Sequence, residues 1–554
     1  MIAALSGLRN YCPAFLDPLS DAGYAASRLV IRESAMDPVQ LSIFSNRLTG
    51  ICEEMGAVLQ RSAFSPNIKD RLDLSCAVFD RAGQLCAQAA HIPVHLGSMA
   101  FAMAEVVAAV AWQPDTLIVL NDPYLGGTHL PDVTVIAPIF LDGEGAPVAF
   151  TVTRAHHANI GSSSPGSMPV SSLLEQEGVV IAPTWLCRGD TWNLELAESL
   201  LQCSLQRPPL DSPRFADFAA QASACRVGAR RLLSWISSHG LDRFEQGLEA
   251  LNDYGERMAC EMIATIPEGR YCYTDVMDDD GQGQQDLPIT VSVTVAGGQV
   301  VVDFTGTADQ VPGNINAPLS VAAAAVYYCF RCLMPAQVPA CAGLFRPIRL
   351  QAPAGCLVNA RRPGAVAAGN VETSSRVVDV VLGALAQAGL PQVPAASQGT
   401  MNNLAMGQGG ADGWDYYETC GGGMGASRGR PGLSGVQTHM TNTLNTPVES
   451  LESHYPLRVL QYRLRRGSGG AGRWNGGDGL VRELLALAPA RFTLLTERRR
   501  HRPWGLAGGL QGAAGVNLLN GEPLAPKYQG ELQAGDRLCL QTPGGGGYGE
   551  MLES

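Results

Sequence analysis

NDPYLGGTHLPDVTVIAPIF, residues 121–140, closes one apolar run, turns through glycines and opens a longer apolar run. Upstream, TLIVLND reads as a short buried strand ending at Asp122; downstream, DVTVIAPIFL and PVAFTVTRAHH read as two strands joined by the turn DGEG. If that pair is antiparallel, positions whose numbers sum to about 287 lie opposite each other. Asp132 then faces Ala155 or His156, and His129 hangs in the turn at the same end. One hairpin therefore brings together His129, Asp132 and one of His156 or His157. A one-residue slip of register swaps the histidine that points inward, and His156 is the one carried forward.

Two imidazoles and a carboxylate with open positions suit Zn²⁺, Mn²⁺ or Fe²⁺, and such a site can deliver an activated water. Asp73, at the start of a strand in KDRLDLS, is the candidate fourth ligand, which only tertiary structure can bring in. The plainer alternative makes His129 and His156 loop histidines bonded to backbone, and Asp132 a turn residue. Asp122, Glu372 and His439 are carried as candidate catalytic groups, each beside a simpler role. Asp122 can bond amides of the PYLGG turn, Glu372 in GNVETSSR suits the first turn of a helix, and His439 lies in the hydroxyl- and amide-rich GVQTHMTNTLNTPVE. His91 and His95 are four apart, but Pro93 between them argues against a helix that would align them. The cluster ERRRHR at 497–502 reads as a solvated face.

A chain of 554 residues exceeds one hydrophobic core, so several domains or one large layered body are expected. With 46% hydrophobic and 16% charged residues it is globular, and a net charge of −12 disfavours nucleic acid and anionic membrane. No apolar run reaches the roughly 18 residues that span a bilayer, and no secretory signal is visible at the start. The 15 cysteines are scattered, as reduced thiols in a cytoplasmic protein are; Cys329 and Cys332, the C-x-x-C pair, sit in an apolar run and read as structural. P-loop, nucleophile-elbow and dinucleotide-binding patterns are all missing from the sequence.

MDPVQLSIFSNRLTGICEEMG predicts a long helix capped by Asp37, with Pro38 at its first position, Gln40 at the capping-box position, and Leu41, Phe44, Leu48, Ile51, Met55 and Val58 on one face. Residues 1–35 read as an extension without a structural role. A hairpin follows at about 72–90 and a helix at 98–112; 213–265 is helix-rich, a second hairpin turns at 296–299, and a helix covers 371–389. Beyond 400, glycine dominates in ETCGGGMGASRGRPG, RRGSGGAGRWNGGDG and TPGGGGYGE, and the region is expected to be β-rich. The overall reading is α+β, organised as 1–35 extension, 36–210 around the metal site, 211–400 mixed, and 401–554 glycine-rich.

Several segments together resemble the hydantoinase B family: SPNIKDRLDLSCAVFD, HIPVHLGSM, NDPYLGGTHLPDVTV, HHANIGSSSPGSMP, VDFTGTADQVPGNINAP, GNVETSSR, GVQTHMTNTLNTPVESLESHYPLRV and the terminal TPGGGGYG. The likeness runs in order from about Met36 to Gly549. It departs at Asn159 and Ser162, where the family usually reads HHADIGG. The family includes B subunits of hydantoinases, the C-terminal half of 5-oxoprolinases and a subunit of ketone carboxylases. The resemblance implies a metal held by His129, Asp132 and His156, with Asp73 as fourth ligand. It implies a hetero-oligomer with an A-type ATPase subunit that spends ATP to phosphorylate the substrate's carbonyl oxygen, which accounts for the missing ATP motif. The expected reaction is hydrolysis of a small cyclic amide; a ketone carboxylase subunit and a non-catalytic scaffold for the ATPase are the alternatives. The glycine-rich segments are expected to line an enclosed route between subunits.

Overall fold

The computed structural model describes residues 36–551 apart from 90, 202–204, 206, 208, 211 and 410–412, so the 1–35 extension lies outside the described residues. Helix α1 (Pro38–Ser62) starts as its sequence dictates: Asp37 Oδ1 accepts the amides of Val39 and Gln40 at 2.9 and 3.0 Å, and Pro38 needs no N–H there. Its buried face carries Phe44, Leu48, Ile51 and Met55, while Leu41 and Val58 are half-buried against the same core. After it come β1 (Leu74–Asp80) and β2 (Leu85–Gln88), the expected hairpin.

Helix α3 (Pro93–Ala109), preceded by the one-turn α2 (Pro66–Lys69), begins five residues before the expected 98. Pro93 does not break this helix. It occupies the first position, where a missing N–H costs nothing and the fixed φ is already helical. That correction places His95 in the first turn.

The strands β3 (Thr116–Leu120), β4 (Asp132–Ile139), β5 (Ala149–His156), β6 (Thr184–Arg188) and β7 (Thr191–Trp192) join the hairpin in one sheet, ordered β2-β1-β5-β4-β3-β6-β7, all antiparallel. The centre of the sheet is covered on both sides. Val133, Val135 and Ala137 pack with Phe215 and Phe218 of the helix Pro213–His239, and Ile136, Phe150 and Val152 pack with Met99 and Met103 of α3. Burial on both faces explains why β4 reads as a continuous apolar run and not as an alternating one.

Three further sheets complete an α+β architecture, one over 269–351 and two built from strands beyond 400, so the glycine-rich region is β-rich. Most glycines of its three richest segments pack against neighbouring backbone. A Cβ on Gly425 would lie 1.8 Å from the carbonyl oxygen of Ala395, and one on Gly545 2.1 Å from that of Met424. Close chain packing, a use of glycine that needs no ligand, accounts for them.

The ERRRHR segment is not a solvated face at its start. Glu497 and Arg498 are fully buried: Arg498 bonds Asp275 and Asp379, and Glu497 takes Lys527 at 2.5 Å and Arg376 at 3.3 Å. Spacing along the chain cannot reveal partners 30 to 223 residues away. Among the described residues no helix is long and apolar enough to cross a membrane.

Candidate metal centre

The β4–β5 register pairs Asp132 with His156. His157, one residue further, turns to the other side, where its Nε2 meets Gln221 Oε1 at 2.8 Å and its ring packs on Phe218. The turn before β4 is pinned by Asn121, whose amide donates to Leu130 O at 2.9 Å and Val179 O at 3.0 Å and accepts from Ile181 N at 2.7 Å. That anchoring delivers His129 to the mouth of the hairpin.

His129 Nε2 lies 3.2 Å and His156 Nδ1 3.4 Å from Asp132 Oδ1, and one ligand atom from each of the three residues lies within 4.8 Å of the others. His129 Nδ1 is 3.3 Å from the carbonyl of Ala367, which can accept only from a protonated Nδ1, so Nε2 is the ring nitrogen turned to the carboxylate. A carboxylate this close to two imidazoles is balanced by a shared positive charge, either a proton on an imidazole or a metal cation. His156 Nε2 is buried without a hydrogen-bond partner. The donor set fits a divalent transition ion, and His129, Asp132 and His156 could hold one.

Protonation of His129 can supply that charge. Burial alone would push the His129 imidazolium down, but the Asp132 carboxylate more than reverses it and raises its pKa. Burial also opposes ionisation of Asp132, yet His129 and His95 hold it well below the usual carboxylate range. His156 is pushed well down, by burial first.

Around this trio, Asp132 Oδ2 is held from the far side. Thr128 Oγ1 donates to it in a short bond, Asn370 Nδ2 donates at 3.2 Å, and His95 Nε2 lies 3.2 Å away with its Nδ1 3.1 Å from Ser75 Oγ. Neither His95 nor Asn370 was expected at the site from the sequence. His95 had a signal, proline at the first position of a helix; Asn370 had none, because it arrives from 238 residues downstream on the single π-turn Gly369–Thr373.

Residues 37–551 match the family model of hydantoinase B/oxoprolinase. This chain belongs to the hydantoinase B/oxoprolinase family. It is 38% identical to 5-oxoprolinase 1 of Arabidopsis thaliana over 95% of its own length, but spans 43% of that protein. It is 32% identical to a candidate B subunit of a D-/L-hydantoinase from a Pseudomonas species, covering 94% of this chain and 91% of the relative. Among solved structures, an ATP-dependent caprolactamase from Pseudomonas jessenii superposes with a TM-score of 0.85 at 27% identity, over 93% of this chain and 92% of that one. An acetone carboxylase shares the fold, with a TM-score of 0.81 at 17% identity over 93% of this chain and 76% of that chain.

In this member of the hydantoinase B/oxoprolinase family the other expected site residues fall outside the trio. Asp73 is buried beside the trio: its carbonyl accepts the His156 amide at 3.0 Å, and burial pushes its carboxyl up against the opposing pull of Arg71. Asp122 caps the turn Pro123–Leu125, accepting Tyr124 N at 3.0 Å, and pairs with Arg362. His439 stands apart in a left-handed backbone conformation, φ 60°, with its Nδ1 3.5 Å from the Tyr328 hydroxyl.

Glu372 is fully buried, and burial pushes its carboxyl up to about 7. Its Oε1 accepts Asn403 Nδ2 at 2.7 Å, Asn403 Oδ1 accepts the Tyr417 hydroxyl at 2.7 Å, and the Tyr417 ring stacks on His156 at 4.6 Å. Asn159, at the departure from the usual HHADIGG, donates to Asp415 Oδ2 at 2.9 Å and accepts Gly161 N at 2.8 Å.

Proposed function

We propose that this chain is the metal-dependent ring-opening component of an ATP-dependent cyclic-amide hydrolase, working with an A-type ATPase subunit that activates the lactam by phosphorylation. The observation that carries the reading is the buried His129, Asp132 and His156 group, whose ligand atoms lie within 4.8 Å of one another and could hold a cation. The caprolactamase likeness and the hydantoinase and 5-oxoprolinase relatives support a lactam or hydantoin as substrate.

A divalent Zn, Mn or Fe ion bound here supplies Lewis acidity and an activated water. His129, Asp132 and His156 would hold it, with the buried Asp73 beside them as the proposed second carboxylate. Thr128, Asn370 and His95 fix the Asp132 carboxylate so that Oδ1 faces the imidazoles. Tyr417, held through Asn403 by Glu372, sets the plane of the His156 ring; Glu372 acts as a positioning residue. An amide activated on its oxygen is open to attack by bulk water, and side chains only 1–2% exposed exclude it. Asp122, tied to its turn and to Arg362, and His439 are given no step.

Reconstitution tests the assignment. Alone, the chain should open neither hydantoin nor 5-oxoproline, because an unactivated amide is a poor electrophile. With its ATPase partner it should open a cyclic amide as ATP is consumed, and His129→Ala should abolish opening while partial ATPase activity survives in the partner. Labelled bicarbonate built into a ketone, with no lactam opened, would replace this reading with a carboxylase. Full activity of His129→Ala would point to a scaffold.

A further inference from the structure

Four arginines rank among the largest fully buried side chains: Arg71, Arg376, Arg482 and Arg498. Three of them face carboxylates, Arg376 with Glu497, Arg482 with Glu418, and Arg498 with Asp275 and Asp379. Arg71 has no ion pair among the described residues; Asp73 feels its charge without bonding it. Its Nη1 donates to Asn67 Oδ1 at 3.3 Å and to the Tyr417 carbonyl at 2.9 Å, and its Nη2 to Thr419 Oγ1 at 3.3 Å and Thr443 Oγ1 at 3.5 Å. All four acceptors are neutral, and its Nε is buried with no partner. Arg154 also lacks an ion pair, but each of its three nitrogens is bonded, to Thr134, Ser98 and the Gly126 carbonyl. Arg499 likewise has no ion pair and an unused Nε but is only half-buried, so among the described residues Arg71 is the fully buried arginine that combines a missing ion pair with an unused donor. A charge removed from water without a bonded counterion is costly; Asp73 and Glu418 feel the Arg71 charge but neither bonds it, which leaves its free Nε open to an anionic ligand.

Two more unsatisfied atoms belong to the same web. Asn67 Nδ2, on the residue that accepts from Arg71, is a buried donor without a partner. Gln437 Oε1 is a buried acceptor without one, and the same side chain donates to Thr419 Oγ1 at 3.1 Å. The web adjoins the metal centre: the Arg71 guanidinium carbon lies 4.8 Å from the centroid of the Tyr417 ring, which stacks on His156. Leu72, between Arg71 and Asp73, holds φ at 57°, a strained conformation for leucine, and both neighbours of Leu72 are buried. Such strain persists where the surroundings over-determine it, and it clusters at functional sites.

We propose that Arg71 and Asn67, with Gln437, form an oxyanion subsite beside the metal centre that takes the anionic group of the bound substrate. It rests on the ring-opening reading above and adds the substrate's charge to it. A phosphoryl or carboxylate oxygen accepts from Arg71 Nε and Asn67 Nδ2, and an N–H of a cyclic amide donates to Gln437 Oε1. The shared chemistry is an oxyanion. Its source is the phosphoryl group added by the ATPase partner or a carboxylate carried by the ring.

Calorimetric titration of the purified full chain, metal-loaded and metal-free, with inorganic phosphate, 5-oxoproline and 2-pyrrolidinone tests this, since the last two share a ring and differ in the carboxylate. At least one anion should bind, 2-pyrrolidinone more weakly than 5-oxoproline if the carboxylate is the ligand. Arg71→Lys, which keeps the charge but loses the guanidinium fork, should weaken that binding on the order of tenfold or more with metal content unchanged. Asn67→Asp, which sets a negative charge beside the guanidinium, should abolish it and serves if Arg71→Lys does not fold. Phosphate binding assigns the phosphoryl source, and preference for 5-oxoproline with phosphate inert assigns the carboxylate. If neither anion binds the wild type, or if the variants bind as tightly as it does, the subsite is overturned. A wild type that takes up no metal but still binds an Arg71-dependent anion would instead overturn the ring-opening reading alone.

Discussion

Replacing Glu372 by glutamine should remove a loss of stability that the wild type shows as pH rises from about 4.5 through about 7. Glu372 Oε1 is bonded to the Met401 amide at 3.0 Å and to Asn403 at 2.7 Å, while Oε2 is buried without a partner. Burial is the main cause that raises its carboxyl from 4.5 to about 7; the charge of Lys527 and the Met401 amide pull it down, and Glu497 pushes it up. That rise corresponds to about 3 kcal/mol.

Because the folded value is raised, that stabilisation is complete below the ordinary 4.5 and is lost as pH climbs through about 7. Between pH about 5.5 and about 8.5 the wild type should therefore lose about 2 kcal/mol that Glu372→Gln keeps. Urea-unfolding midpoints of both proteins at the two pH values measure this, and the difference between them cancels other titrating groups. Equal pH dependence in the two proteins would show that Glu372 is ionised at neutrality and would refute the argument from its burial.

His129→Ala and Asp132→Asn should each strip most of the metal from the purified protein, read by elemental analysis; full occupancy in either would refute the ligand set. His156→Ala should do the same and His157→Ala should not, because the His157 ring is committed to Gln221; the reverse ranking would contradict the β4–β5 register. His95→Gln should weaken metal affinity by about 10- to 100-fold in a chelator competition, since it removes a group that orients Asp132. Arg482→Met strands Glu418, to which the arginine makes two bonds of 2.9 Å, and should cost about 3–5 kcal/mol of unfolding free energy; a melt unchanged from wild type would refute it.

What the chain determines locally is what can be read without the rest of the fold. The capped start of α1 follows from Asp37 and Pro38, and the hairpin that joins Asp132 to a histidine follows from two apolar runs around DGEG, because hydrogen bonds and side-chain periods over a few residues settle both. The same locality limits the reading. Choosing His156 over His157 needs the true register, since neighbouring strand residues face opposite ways. His95 escapes the sequence because a proline inside a helix and a proline at its first position look alike until the helix start is known. Asn370, Tyr417 and Arg71 reach the centre through contacts made more than 200 residues apart. ERRRHR is buried at its start because Asp275, Asp379 and Lys527 neutralise it across the fold. Burial and countercharge belong to the folded chain as a whole, and no spacing in the sequence encodes them directly.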